Sequence, residues 1–194
     1  MSIHDFFAGD RVDLPALASW LDGLSNTARV QSARELSAKE QAQLYEAAKG
    51  FRPLTIADFV PPGTSPLAQV IHFGRNSLPM FKIFEKRFCR PPNGNKTELW
   101  GYNEQSMSWA TGPGYFVCYD IDDGQVLIDY LKTPPGKPDT WPAIKPNSAG
   151  LSRFVYYRTQ DTMRGVSNHV SIGRASRDGK PMDNWFVLCR DAAS

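Results

Sequence analysis

Cysteine is scarce and scattered. Cys89, Cys118 and Cys189 are the only three in 194 residues, far apart and never in a C-x-x-C pair. That spacing argues against a disulfide framework and against a thiolate zinc site. No uncharged apolar run approaches the ~20 residues that a bilayer-spanning helix needs. The opening residues, Met1 to Asp10, lack a basic segment, a long apolar stretch and a small-residue cleavage site. A secretory signal is therefore not expected, and a reducing, cytoplasmic compartment is. Excess charge is missing as well: 22 basic against 20 acidic side chains leave +2. Such a balance supplies no global field to attract nucleic acid or an anionic membrane.

The motifs of familiar chemistries are also absent. The run from Gly173 to Lys180 has five residues between its glycines and Pro181 after its lysine, so it fails as a phosphate loop. Asp120, Asp122, Asp123 and Gly124 begin like a calcium loop, but Leu131 stands where a bidentate glutamate is required. There is no H-E-x-x-H and no G-x-S-x-G. Thr111-Gly112-Pro113-Gly114 leads into a strand rather than a helix N-terminus and reads as a tight turn. No cofactor and no metal is expected, and no motif carries a resemblance to a known family.

What is present is an ordinary globular chain, 41% apolar and 22% charged, long enough to bury roughly 70% of its unfolded surface. Leu14, Leu17, Ala18, Leu21 and Leu24 mark one face of a helix, with Asp13 as N-cap and Pro15 in the first turn. Ser37 and Glu40 form a capping box before Ala42, Leu44, Tyr45, Ala47 and Ala48, and Gly50 stops that helix. A short helix is expected around Ala28–Arg34. A fourth is expected after Ser77, on the spacing of Leu78, Phe81, Phe84 and Phe88.

From Thr97 onward the apolar period is two. Strands are expected at Glu98–Asn103, Tyr115–Ile121, Gln125–Leu131, Arg153–Thr159, Val166–Arg174 and Trp185–Arg190, with hairpin turns at Asp122-Asp123-Gly124 and Asp178-Gly179. Thr133–Gly150 holds five prolines and cannot be a central strand, so it reads as an ordered crossover loop anchored by Trp141 and Ile144. The expectation is one α+β domain over residues 1–194. A mainly helical layer (1–91) packs on a mostly antiparallel, partly barrel-like sheet (97–190), with the proline-rich crossover loop at 133–150.

Register arithmetic singles out one surface. A tight turn at Gln160–Met163 sets Phe154 opposite His169 and Tyr156 opposite Ser167, and the Asp178-Gly179 turn sets His169 opposite Leu188. Val155, Tyr157, Val166, Val170, Ile172, Trp185, Val187 and Cys189 then share an apolar face. Phe154, Tyr156, Arg158, Ser167, His169, Ser171, Phe186, Leu188 and Arg190 share a mixed one. Aromatic area beside guanidinium groups suits a small organic anion, although helices covering the rings would explain the same composition. A two-residue turn in the other hairpin puts Asp129 with Phe116, Cys118, Asp120 and Leu127.

The function expected on these grounds is non-catalytic binding of a small apolar or anionic organic molecule in a sheet-lined pocket. Phe154, Tyr156, Arg158, His169, Phe186 and Arg190 are the ligand-binding candidates. The alternative is an enzyme acting on a small organic acid, with His169 as general base, Asp129 orienting it, and Arg158 or Arg190 holding the anion. A third reading is a subunit or adaptor without a pocket, its mixed face covered by a protein partner or a second copy.

Overall fold

The computed structural model describes residues 1–79, 82–92, 94–104, 112–150 and 152–192, with the side chain of Phe154 outside the description. The chain is an α+β protein: helices at the N-terminal end, then a closed antiparallel barrel of eight strands. A short hairpin, β1 (Phe7–Ala8) and β2 (Arg11–Val12), precedes α1 (Leu14–Gly23), α2 (Asn26–Ala33), α3 (Ala38–Ala47) and α4 (Ile56–Phe59). The caps lie where the hydroxyl and carboxylate side chains place them. The Asp13 carboxylate accepts from the Ala16 N–H, and Ser37 and Glu40 exchange both bonds of a capping box.

The barrel strands are β3 (Val70–Asn76), β4 (Ile83–Cys89), β5 (Leu99–Glu104), β6 (Tyr115–Ile121), β7 (Gln125–Asp129), β8 (Thr159–Gly165), β9 (Val170–Arg177) and β10 (Lys180–Arg190). Each pairs with its neighbour, and β10 returns to β3 through Phe186↔Asn76 to Arg190↔His72. Closure leaves the barrel without a free edge. The expected helix after Ser77 is instead β4. Phe84, Lys86 and Phe88 alternate inward while Glu85 and Arg87 pair with each other outside. The helical layer therefore ends before Val70, and two of the barrel strands, β3 and β4, lie within residues 1–91.

Side-chain alternation sorts the molecule into three apolar regions. The barrel interior holds Phe84, Phe88, Leu99, Phe116, Cys118, Val126, Ile128, Met163, Phe186 and Leu188. Gly101 makes this filling possible, because a Cβ there would lie 2.4 Å from the Phe116 ring. On the outside, Val170, Ile172, Val187 and Cys189 pack against Leu14, Leu17, Leu21, Val30, Leu36 and Leu44 of the N-terminal layer. Cys89, Trp100, Tyr102, Tyr115 and Val117 form the third region with Trp141. One end of the barrel is closed by the segment around α4. Leu54 donates its N–H to Gly124 O, Ile56 donates to Asp120 Oδ1 at 2.7 Å, and Phe59 lies on His72 and Phe88.

Two turns differ from expectation. Asp122–Gly124 spans three residues rather than two, with Asp123 and Gly124 both at φ 63°. The one-residue difference moves Val126, Ile128 and Tyr130 to the interior beside Phe116 and Cys118, and puts Asp129 outside opposite Val117. The β8–β9 turn falls after Gly165, not at Gln160–Met163, so Arg153–Thr159 is not a strand. Ser152–Val155 is a single helical turn, α5, and Val155 and Tyr157 are exposed rather than core. Thr111, in the expected turn at 111–114, lies outside the described residues, while Gly112 and Gly114 both have positive φ.

The proline-rich segment joins β7 to β8, which are neighbours, so it folds back along the outer wall rather than crossing between distant strands. Trp141 is buried against Tyr102 at 4.8 Å and donates Nε1–H to Gln69 at 2.8 Å. Asn147 donates to the carbonyls of Tyr115 and Tyr130. Removing that buried side chain leaves two carbonyls unpaired, so Asn147→Ala should cost about 1–3 kcal/mol and speed tryptic cleavage at Lys137 and Lys145. Denaturant midpoints and a timed digest check both parts. An unchanged digest would mean that Asn147 does not anchor the segment.

Candidate functional site

The end of the barrel opposite α4 holds a cavity of about 80 Å³. Strand alternation brings Phe84 and Lys86 (β4), Asn103 (β5), Asp161 (β8), Ala175 (β9) and Phe186 (β10) to it. Thr159 (β8) and Asn184 (β10) also line it, and Tyr130 and Tyr156 join them from segments flanking the strands. At its floor, Lys86 Nζ donates to Asp161 Oδ2 at 3.1 Å, to Asn103 Oδ1 at 3.1 Å, and to the Tyr130 hydroxyl. Asn103 Nδ2 donates to the same hydroxyl at 2.7 Å, and that hydroxyl is hydrogen-bonded to Asp161. Register explains the proximity, since Lys86 sits directly opposite Asn103.

All four side chains are buried, Lys86 at 2% exposure and Asp161 at 4%. Rings surround the ammonium: Phe186 at 4.8 Å, Tyr130 at 4.9 Å, Phe116 at 5.3 Å and Phe84 at 5.7 Å. Burial pulls the lysine pKa below its ordinary value and pushes the aspartate above its own, each opposed by the other's charge. The proton affinities of the two groups are thus drawn toward each other. Tyr130 is pushed well up by burial and stays a phenol. Cys118 also faces the interior and is pushed up by burial, while Cys89 and Cys189 are raised to about 12. None of the three is a reactive thiolate.

Of the residues singled out by sequence, Tyr156 and Phe186 line this cavity, the former with its ring 5.3 Å from that of Tyr130. The remaining candidates lie elsewhere. Arg158 is an exposed turn residue at φ 62° paired with Asp178. Arg190 and His169 belong to the closed end, where Arg190 donates to Asn168 O. His169 borders a cavity of only about 10 Å³, room for roughly one water and too small for an organic ligand. Asp129 faces outward, accepting from Tyr119 OH at 2.9 Å and Leu131 N–H at 3.0 Å.

Asp129 pairs with Gln160 near the start of β8, whereas His169 follows its end. They are separated by the length of that strand, about 17–20 Å, and Asp129 does not orient His169. Phe154 lies in α5 with its side chain outside the described residues. The proposed contiguous surface is therefore divided between the two ends of the barrel. Its mixed strand face points inward at Ser171, Phe186 and Leu188.

Lys86, Asp161, Asn103 and Tyr130 were not candidates in the sequence. The available signal was Phe84-x-Lys86-x-Phe88, a lysine in the inward phase of a strand. Two larger depressions outside the barrel, of about 590 and 560 Å³, have no buried charged residue in their lining. Among the described residues no group of three or more His, Cys, Asp or Glu is placed to hold a metal ion, and no helix is long and apolar enough to cross a membrane. No family model, curated protein sequence or solved structure matches this chain.

Proposed function

We propose that the barrel binds a small, neutral, mostly apolar organic molecule, which enters at the end opposite α4 and rests its polar group on the floor. One observation carries this reading: an aromatic-walled cavity inside a closed barrel ends on a buried Lys–Asp–Tyr–Asn cluster. Burying an ion pair in a barrel core is often no better for stability than apolar residues of the same volume. Small closed barrels use their interiors either for packing or for one ligand. Neutrality follows from the floor. Lys86 has all three donors engaged and Asp161 beside it, while no arginine lines the cavity. A carboxylate has about four acceptor sites, and Lys86 and Tyr130 occupy two on Asp161. Acceptor capacity therefore remains for a ligand hydroxyl or N–H.

Butan-1-ol, a short apolar chain with one hydroxyl, is a probe matched to a cavity of about 80 Å³. At millimolar concentration it should raise the melting temperature by mass action and shift the amide resonances of Asn103, Ala175 and Asn184. Ala175→Leu, which places bulk inside the cavity mouth, should stay folded and lose both responses. A wild-type protein whose resonances do not move, or an unaffected Ala175→Leu response, would overturn the reading.

A further inference from the structure

We propose that Lys86 captures small aldehydes from the cavity as a reversible imine, with Asp161 carrying the protons; this rests on the cavity being the ligand site. The argument begins with position. Lys86 Nζ is fixed at the cavity floor by three acceptors, and one of them, Asp161, is a proton acceptor at 3.1 Å. When the ammonium passes a proton to Asp161, the amine keeps its N–H bonds to Asn103 and Tyr130 and gains a lone pair. Near-complete burial narrows the gap between that neutral pair and the two charges. A lysine desolvated among apolar groups is an activated nucleophile toward carbonyl carbon. Burial lowering the Lys86 pKa and raising that of Asp161 acts in the same direction.

The step balances without any added reagent. The amine lone pair forms the C–N bond and the carbonyl π pair moves to oxygen, which takes the proton held by Asp161. The new ammonium centre returns a proton to Asp161, giving a neutral carbinolamine. Asp161 then protonates the hydroxyl, the C–O bond breaks and water leaves. An iminium remains on Lys86 with the Asp161 carboxylate as its counter-ion. In sum, ammonium plus aldehyde gives iminium plus water, with one positive charge on each side.

Size selects the partner. A cavity of about 150 Å³ holds benzene, so about 80 Å³ suits a short aliphatic aldehyde such as butanal. The test is to mix the protein with butanal and cyanoborohydride near neutral pH, then follow butyl addition by intact mass and peptide mapping. Lys86 should be modified measurably faster than exposed Lys39 or Lys132. Butan-1-ol should protect Lys86 and not the surface lysines. Lys86→Met should remove the fast phase. Ala175→Leu, which keeps the lysine but fills the approach, should abolish it even if Lys86→Met fails to fold. If butan-1-ol binds and only surface lysines are modified, the imine proposal falls and the ligand-binding reading stands. If butan-1-ol does not bind and Lys86 is not modified, both fall.

Discussion

Asp161→Asn should lower the unfolding free energy by about 3–5 kcal/mol, the cost of leaving one member of a buried ion pair without its partner. In a chain of this length that is a fall in melting temperature of about 6–20 °C. The substitution keeps the shape of the side chain and an oxygen acceptor for Lys86 Nζ, so the loss reports charge rather than packing. Its pH dependence has a defined sign. In the variant, Lys86 is buried without a counter-charge, and its folded pKa lies below the unfolded value near 10.4. The unfolded chain then binds more protons than the folded one, so the variant regains stability as pH rises toward that value. Lys86→Met combined with Asp161→Leu should recover most or all of the loss, because an apolar pair removes both desolvation terms. Urea midpoints of wild type, Lys86→Met, Asp161→Leu and the double variant complete the cycle. If the double variant were the least stable of the four, the ion pair would be a stabilising element of the barrel core and not a group retained for another purpose.

How the cluster escaped detection follows from the same burial. Helices α1 and α3 were legible because their signals are local: Asp13 and Ser37–Glu40 cap within four residues, and the apolar period does the rest. The faces of β9 and β10 were also legible. The irregularity at Met182–Asn184 shifts pairing by two residues and so preserves which side chains point inward. β4 was not. Leu78, Phe81, Phe84 and Phe88 satisfy helical spacing, and a lysine at 86 reads as the solvent face of a helix rather than the inward phase of a strand. A residue buried against its intrinsic preference disguises the element that carries it. The β8–β9 turn was misplaced for a different reason. Ser167 and Asn168 supply the turn chemistry there, but Asp161 carries it too, and the alternation at Phe154–Arg158 imitated a strand. The pairing of β10 with β3, which closes the barrel and creates an interior, joins segments about a hundred residues apart. No local pattern encodes it.

Acid should weaken the other end of the barrel. His72 is fully enclosed, its ring 5.2 Å from that of Phe59 and 4.9 Å from that of Phe88. Its Nε2–H donates to Phe59 O at 3.0 Å, and Nδ1 has no hydrogen-bond partner among the described residues. Burial pushes its pKa down to about 3. A protonated ring would retain the bond to Phe59, so the cost is the charge itself and a second N–H with no acceptor. Because the folded pKa lies below the unfolded one, the stabilisation is complete above pH 6.5. It is lost as pH falls from there toward about 3. By pH 4 the loss from this group is about 3 kcal/mol. His169 and Arg190, which add positive charge nearby, sharpen the effect, while Asp191 opposes it. Phe59 belongs to α4, the element that closes this end, so the hydrogen-exchange protection of Phe59 and Val60 should fall before that of β6 or β7. His72→Gln can still donate to Phe59 O but does not titrate. Its denaturant midpoint should therefore fall less steeply than that of wild type between pH 7 and pH 4. Parallel curves for the two proteins would assign the acid sensitivity to other groups and remove His72 from the account of this end of the barrel.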